Sequence, residues 1–193
     1  MGRPREFDMD QALSSAMSAF WDHGYEATSV SDLMNAMGLQ KGSIYKAFGD
    51  KHGLYLASLK HYLDKAYLSD SEALVGSDDP KEAIRQWLLS DVVPCCKQSF
   101  KRGCLMINAI SELSYKDPDV EKITKDHLNK LTQLLKEVIK NGQLLGSIRN
   151  DMKASELAKL IVVNLIGMIT LTKCNTSQND LKKSITNLLT LLD

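Results

Sequence analysis

The stretch Gln40–Phe48 has side chains of the kinds that contact duplex DNA, at the spacing of a short helix. Ile44 and Phe48 are four residues apart, so they share one helical face that we expect to be buried. Base edges and phosphates are contacted at hydrogen-bond distance, which favours short, flat or cationic side chains on the opposite face. That face carries Gln40, Lys41, Ser43, Tyr45 and Lys46. Gly42 adds no side chain and lets the backbone approach a sugar-phosphate strand closely.

The elements that must position this helix form a predicted helix-turn-helix. A first helix is predicted over about residues 8–23. Ser29, with Asp32 three positions later, resembles a capping box and starts a second helix of barely two turns. Gly38–Leu39 then supplies a tight turn before the DNA-facing helix. Two short helices joined by a glycine turn have the helix-turn-helix arrangement.

The charge of the chain excludes one class of nucleic-acid binder. Lys and Arg number 24 and Asp and Glu 24, so the net charge is zero and the chain is not a globally basic coat for nucleic acid. From Gly38 to His52, however, three lysines stand against Asp50 alone. So sparse a cluster predicts a modest dependence of DNA affinity on salt. A solvated helix face would account for the same three lysines.

Helical periodicity continues through the rest of the 193 residues, without a convincing two-residue alternation. We therefore predict an all-α chain of about nine helices. A helix-turn-helix DNA-binding domain is expected at residues 1–49 and a larger ligand-binding and dimerisation domain at 50–193. Asp117–Pro118 should start a long seventh helix, and Asn141–Gly142 should close it.

The longest apolar run bears on where the protein works. It covers about 13 residues, from Leu160 to Thr172, and is too short to cross a bilayer. No secretory signal is visible, so a cytoplasmic protein without a membrane partner is expected. Four cysteines are too few and too unevenly spaced for a disulfide framework, and we expect free thiols.

The first quarter of the sequence resembles the TetR family of one-component bacterial transcriptional repressors. The residues that carry the resemblance are Ala12, Gly24-Tyr25, Thr28, Gly38-Leu39-Gln40-Lys41-Gly42-Ser43-Ile44-Tyr45, Phe48 and Lys51. The resemblance implies three N-terminal helices that bind DNA and a longer helical domain that binds an inducer and dimerises. The residues it implies at operator DNA are Thr28, Gln40, Lys41, Gly42, Ser43, Tyr45 and Lys51. Exposure on the helix adds Lys46.

The sequence also departs from the common pattern of that family. Ala47 stands where relatives often have His or an aromatic residue, which removes one usual backbone contact. Gln40 stands where many relatives have Ser or Ala, and its amide suits recognition of adenine. Arg3 and Arg5 precede the first helix and suit either an arm toward the DNA backbone or minor groove, or a solubilising tail.

A single helix-turn-helix contacts only a few base pairs, so specificity calls for two copies about 34 to 36 Å apart on a palindromic operator. A homodimer is therefore expected. The best candidate for the dimer interface, called the dimer seam below, is the last pair of helices. Their apolar faces carry Leu160, Val163, Gly167, Leu171, Leu181, Ile185, Leu188 and Leu189. An ordinary core within one chain would explain the same apolar stripes.

The middle of the chain is expected to receive a signal. Its large apolar residues, with few polar points among them, suit a pocket for a small hydrophobic or electrophilic inducer. The candidates are Trp87, Phe100, Met106, Ile107, Ile110, Tyr115 and Met168. Each of them, taken alone, is as well explained as plain core.

Cys104 is a candidate thiol sensor. It lies near the start of the predicted sixth helix, and Lys101, Arg102 and the helix N-terminus are expected to lower its pKa. The Gly-Cys-Leu sequence followed by Asn108 also resembles a TetR branch in which some members sense electrophiles through this cysteine. Structural packing is the alternative role for the thiol.

The sequence gives little support to catalysis or to a cofactor. It has no Gly-rich phosphate loop and no His-Glu-x-x-His motif, and its cysteines lack the C-x2-C spacing of zinc sites. No metal, cofactor or catalytic residue is predicted. A helical thiol enzyme that uses Cys104 is the competing hypothesis from another class. Within the regulator class, activation instead of repression stays open.

Overall fold

The computed structural model describes residues 7–96 and 102–193, which form nine α-helices, a C-terminal 3-10 turn and no strand. The helices are α1 Met9–His23, α2 Val30–Met37, α3 Lys41–Phe48, α4 Lys51–Leu74, α5 Pro80–Cys95, α6 Leu105–Glu112, α7 Pro118–Leu145, α8 Ala154–Thr172 and α9 Gln178–Leu189. The predicted all-α class is confirmed. The candidates Arg3, Arg5 and Phe100 lie outside the described residues.

Local capping explains where the helices begin. Ser29 and Asp32 form the predicted capping box at the start of α2: the Ser29 N–H donates to Asp32 Oδ2 at 2.8 Å, and the Asp32 N–H donates to Ser29 Oγ at 3.1 Å. Asp50 caps α4, and Asp117 caps α7 in front of Pro118. These short acidic side chains accept the backbone N–H groups that a helix N-terminus leaves unpaired.

The buried apolar residues form two cores, and α4 contributes to both. The first packs α1–α3 against α4 and α6 and includes Phe20, Leu33, Ile44, Tyr55, Leu59, Leu105 and Leu113. The second lies among α5, α7, α8 and α9 and includes Trp87, Leu88, Leu135, Leu157, Ile161, Leu181 and Ile185. Leu54 and Leu59 of α4 belong to the first core, and Leu74 at its other end belongs to the second. The helix-turn-helix unit, α1–α3, is therefore packed directly onto the rest of the chain.

The seventh helix is longer than predicted. Asn141–Gly142 does not close α7, which continues to Leu145 and ends at Gly146 in the left-handed conformation, with φ 74°. Gly142 instead allows Ile148 to pack against α7, because a Cβ at residue 142 would lie 2.5 Å from Cδ1 of Ile148. The Ile148 side chain folds back over this bare stretch of helix and is buried.

Among the described helices, α8 alone has the length and apolar composition that would suffice to cross a bilayer. Its buried residues, however, belong to the second core: Leu157, Ala158, Ile161, Val162, Leu165, Met168 and Ile169. The opposite side of α8, which includes Val163 and Leu171, is exposed.

Candidate DNA interface and the cavity behind it

The outer surface of α3 has the composition that the sequence predicted. Ile44 is buried, whereas Gln40, Lys41, Gly42 and Lys46 are exposed. Ser43 and Tyr45 are half-buried, and the Lys41 ammonium lies 5.3 Å from the centroid of the Tyr45 ring. A Cβ added at Gly42 would meet nothing within 4 Å. The fold itself therefore does not require glycine at this position.

Thr28 does not occupy the predicted position on that surface. It is fully buried, and its hydroxyl donates a 2.6 Å hydrogen bond to the carbonyl oxygen of Gly24. The expectation that this side chain contacts DNA is wrong for this conformation, because the hydroxyl closes the turn between α1 and α2. Lys51 also has an internal role: its ammonium lies 4.5 Å from the Tyr25 ring centroid and donates to the Glu26 carbonyl at 3.4 Å.

The turn between α1 and α2 is hydrogen-bonded to α6. Glu112 accepts the backbone N–H groups of Tyr25 and Glu26 at 3.3 and 3.1 Å. A Cβ at Gly24 would lie 3.2 Å from Glu112 Oε2, and Gly24 has a φ of 83°, which favours glycine. Lys116 adds an ion pair to the Glu26 carboxylate at 3.1 Å. The position of this turn is thus set by residues far along the chain.

Three further contacts join the helix-turn-helix unit to the segment that precedes α6. The Trp21 indole donates to the carbonyl oxygen of Gly103 at 3.0 Å. The Arg102 guanidinium lies 4.1 Å from the Trp21 ring centroid and pairs with Asp22 at 3.1 Å. Arg102 is therefore engaged with α1.

His52, in the first turn of α4, hydrogen-bonds the cap of α7. Its Nε2 lies 2.8 Å from Asp117 Oδ2. Burial opposes ionisation of Asp117, but this bond and the α7 backbone N–H groups outweigh it and lower the pKa of Asp117. His52, Asp117 and Asp119 bring their potential ligand atoms within 4.8 Å, yet Asp117 already uses both oxygens on its protein partners.

A cavity of about 230 Å³ lies behind these contacts, enclosed mainly by α4, α5, α7 and α8. Its apolar wall is formed by Trp21, Leu63, Ala66, Pro94, Met106, Ile107, Leu128, Leu131, Leu165, Ile166 and Ile169. Its polar and thiol side chains are Tyr62, Ser69, Asp70, Asp91, Cys95, Cys104 and His127. Trp21 and Gly103, joined by a hydrogen bond, both line it.

Of the predicted pocket residues that the structure describes, only Met106 and Ile107 are in this lining. Tyr115 is 79% exposed, because α6 ends at Glu112 and leaves it in the turn to α7. Ile110 packs into the first core, and Trp87 and Met168 are buried in the second, outside the lining. The prediction was therefore wrong for these four residues.

The acidic groups of the cavity were missed by the sequence argument. Burial raises the pKa of Asp70, although a 2.8 Å hydrogen bond from the Trp87 indole opposes the rise. Burial, with the charge of Asp70, raises the pKa of Asp91 to about 7. A signal did exist: Asp70 lies at helical spacing between Leu63 and Leu74, on the inward face of α4.

Cys104 lines the cavity, but its predicted low pKa is wrong. Burial raises the pKa of Cys104 and outweighs the hydrogen bonds from Tyr62 and two backbone N–H groups that oppose the rise. The Tyr62 hydroxyl lies 3.4 Å from Cys104 Sγ. The nearby guanidinium of Arg102 is paired with Asp22. Burial also raises the pKa of Cys95, to about 11, with Cys104 contributing.

The predicted dimer seam divides into two parts. On α8, Val163 is 66% exposed and Leu171 49%, and Leu160 and Gly167 are exposed on the same side. On α9, Leu181, Ile185, Leu188 and Leu189 are buried in the second core. The assignment of the α9 residues to a subunit interface is therefore wrong, since their apolar stripe packs within the chain.

Two family models match the chain. Residues 12–58 match the model described as bacterial regulatory proteins, tetR family, and residues 80–188 match the one described as tetracyclin repressor-like, C-terminal domain. Among curated proteins, the HTH-type transcriptional repressor ComR of Escherichia coli K12 is 31% identical over 168 residues, 86% of this chain and 80% of ComR. YezE of Bacillus subtilis 168, an HTH-type transcriptional regulator, is 26% identical over the full length of both chains.

Solved structures agree with these matches. A cysteine mutant of the TetR family transcriptional regulator CifR, complexed with 26-bp double-strand operator DNA, is 29% identical. It superposes with a TM-score of 0.86 over 99% of this chain and 100% of its own. The reduced form of E. coli NemR has a TM-score of 0.87 over 95% of this chain and 96% of its own, and at 17% identity it supports the fold alone.

Proposed function

The chain belongs to the TetR family of bacterial regulatory proteins, and from this premise we propose that it is a repressor that binds a palindromic operator in duplex DNA as a homodimer. The outer surface of α3 carries the proposal. Its exposed amide, two ammonium groups and bare Gly42 backbone are the groups that contact base edges and phosphates. CifR, with the same fold, was solved on operator DNA. Repression is favoured over activation because ComR is named a repressor.

The exposed side of α8 is proposed as the subunit interface. Leu160, Val163 and Leu171 form an apolar strip on it, and Gly167 lets a second helix approach closely. Two copies related by a two-fold axis would present two α3 helices to successive major grooves. Specificity needs this arrangement, because one α3 helix contacts few base pairs.

We propose that a small molecule in the cavity releases the operator. The cavity wall includes Trp21, which belongs to α1, and Gly103, which accepts its indole N–H, so a ligand in the cavity would contact α1 directly. The Glu112 contact joins the turn between α1 and α2 to α6, and the His52 contact joins α4 to the cap of α7. A ligand shifts this equilibrium only by its differential affinity, and a hundredfold preference for the DNA-free arrangement is worth about 2.7 kcal/mol.

A thiol sensor at Cys104 is the second candidate, because its sulfur lines the cavity. The raised pKa of Cys104 leaves little thiolate at neutral pH, which favours non-covalent binding over reaction with electrophiles. The same neutrality argues against the thiol enzyme, and no catalytic role is proposed. A DNA regulator of this kind would work in the cytoplasm.

The test is a selection of bound fragments from a random duplex library at low salt, with the chain at micromolar concentration. We expect one palindrome to be enriched and to be bound by a dimer. Replacing Lys41 and Lys46 with Ala should abolish the enrichment, whereas Lys182→Ala, which removes an exposed charge on α9, should not. A monomer, or a failure to enrich any palindrome, would contradict the proposal.

A further inference from the structure

The cavity has an acidic side that an apolar inducer alone would leave unused. Asp70 of α4, Asp91 of α5 and His127 of α7 line the same space. We propose that the ligand is a small apolar molecule with one cationic nitrogen, an ammonium or amidinium, placed against the carboxylate of Asp91. This inference rests on the proposed function, since it names the chemical class of the inducer.

The two carboxyl groups have unused acceptor capacity. Asp70 is 7% exposed, and its Oδ1 accepts the Trp87 indole N–H, while no described residue donates to its Oδ2. The Asp91 carboxyl receives no hydrogen bond from a described residue, and burial and the charge of Asp70 raise its pKa. Both carboxyl groups line the cavity, and a charged donor there gives the strongest bonds to them.

His127 supplies an independent sign of a ligand. It is 8% exposed and lines the cavity, yet neither ring nitrogen is hydrogen-bonded to a described residue. Burial, with the charge of Lys130, lowers the pKa of His127, so the ring is neutral at pH 7. A neutral imidazole can accept or donate one bond to a ligand and adds no positive charge to the cavity.

The described lining of the cavity contains two aspartates and neither Lys nor Arg, so any charge on it is negative. An anionic ligand would meet like charge, and a neutral one would leave the carboxyl groups unpaired. A cation instead gains Coulomb attraction in a region of low dielectric. Binding should therefore favour the ionised form of Asp91 and release part of a proton at neutral pH.

The remaining wall sets the size and character of the ligand. Leu128, Leu131, Ile166 and Ile169 bury an apolar body, and the Tyr62 ring adds an aromatic surface. An engineered cavity of about 150 Å³ binds benzene, so the 230 Å³ here has room for a substituted aromatic ring. Phenethylamine, protonated at pH 7, and phenethyl alcohol, which is neutral, are a matched pair of probes.

The experiment is isothermal titration of the intact chain, without DNA, with each probe at pH 7. We expect phenethylamine to bind at least about tenfold more tightly than the alcohol. Asp91→Asn should reduce this preference below about threefold. Asp126→Asn removes the same charge from an exposed position next to His127 and should keep the preference.

Three results would overturn the proposal: equal or weaker binding of the amine, no binding of either probe at millimolar concentration, or a preference that persists in Asp91→Asn, whether or not Asp70→Asn removes it. Asn at residue 70 keeps an oxygen for the Trp87 indole, so the variant retains that contact. Because no DNA is present, a chain that binds no operator can still prefer the amine. A chain that binds its operator can likewise fail this test, so the two proposals fail separately.

Discussion

The indole N–H of Trp21 donates a 3.0 Å hydrogen bond to the carbonyl oxygen of Gly103, which joins α1 to the wall of the cavity. Trp21→Phe keeps an aromatic ring and removes this bond. We expect the free energy of unfolding to fall by about 1 kcal/mol, as for other intramolecular hydrogen bonds. Urea denaturation measures the change.

The same variant tests whether the bond transmits the ligand signal. Phenethylamine should weaken operator binding less in Trp21→Phe than in the natural chain, as measured by fluorescence anisotropy of labelled DNA. Ser90→Ala, which removes a part-buried hydrogen bond within α5, is the control and should leave the ligand effect intact. An unchanged ligand effect in Trp21→Phe would assign the transmission to the Glu112 or His52 contacts.

Gly42 is expected to separate folding from DNA binding. Gly42→Ala meets no atom within 4 Å, and Ala favours helix, so thermal stability should hold or rise by up to about 1 kcal/mol. Operator affinity should nevertheless fall at least about tenfold, because a methyl group stands between the backbone and the phosphates. Gly53→Ala provides the contrast: its Cβ would clash with the Phe48 carbonyl oxygen and should lower stability. Unchanged affinity in Gly42→Ala would remove Gly42 from the interface.

Stability should depend on pH through Asp91. An unfolded Asp titrates near 3.9, whereas burial and Asp70 raise the pKa of Asp91 to about 7 in the folded chain. The folded state binds more protons between these values, so the stability that protonated Asp91 contributes is lost as pH rises from about 4 to about 7. The free energy of unfolding of Asp91→Asn should exceed that of the natural chain by up to about 4 kcal/mol at about pH 8. This difference should shrink to nothing toward about pH 4.

Urea unfolding at several pH values measures this gap, and the exposed Asp126→Asn is its matched control. A difference between Asp91→Asn and the natural chain that stays constant over the whole range would show that the Asp91 charge is not buried.

The exposed side of α8 and the buried stripe of α9 should respond differently to substitution. Val163→Glu places a charge on the proposed interface, and we expect a folded monomer in sedimentation velocity runs. Leu181→Ala removes a core side chain and should instead lower the free energy of unfolding by about 2 to 5 kcal/mol. A Val163→Glu chain that remains dimeric would move the interface elsewhere.

The sequence predicted a structural feature correctly where that feature depends on residues that are neighbours along the chain. The Ser29–Asp32 box, the buried Ile44 and the cap at Asp117 are local, and all three are present. The apolar stripe of α9 did not identify its partner. Periodicity shows that a helical face is buried, but it does not show whether that face packs within the same chain or against a second subunit. The burial of Thr28 depends on how α1 and α2 meet, which spacing does not encode.

The cavity was harder to predict for a physical reason. The sequence shows the size of each apolar residue, but a cavity remains where helices diverge, and that depends on their packing angles. Asp70 is among the buried residues of α4, and the half-buried Asp91 lies between the buried Leu88 and Val92 of α5, so each acid interrupts an apolar pattern. Such interruptions are the better signal for a ligand site, since buried acids require partners.

The Glu112 carboxylate accepts main-chain N–H groups from the turn between α1 and α2, and these groups are present whatever side chains the turn carries. Mutations on the surface of α3 can therefore alter which operator is recognised without touching this link. Under the proposed function, substitutions around the cavity would alter which compound is detected in the same way. With Gly24 and Glu112 retained, descendants of this chain are free to acquire new target genes and new effectors independently.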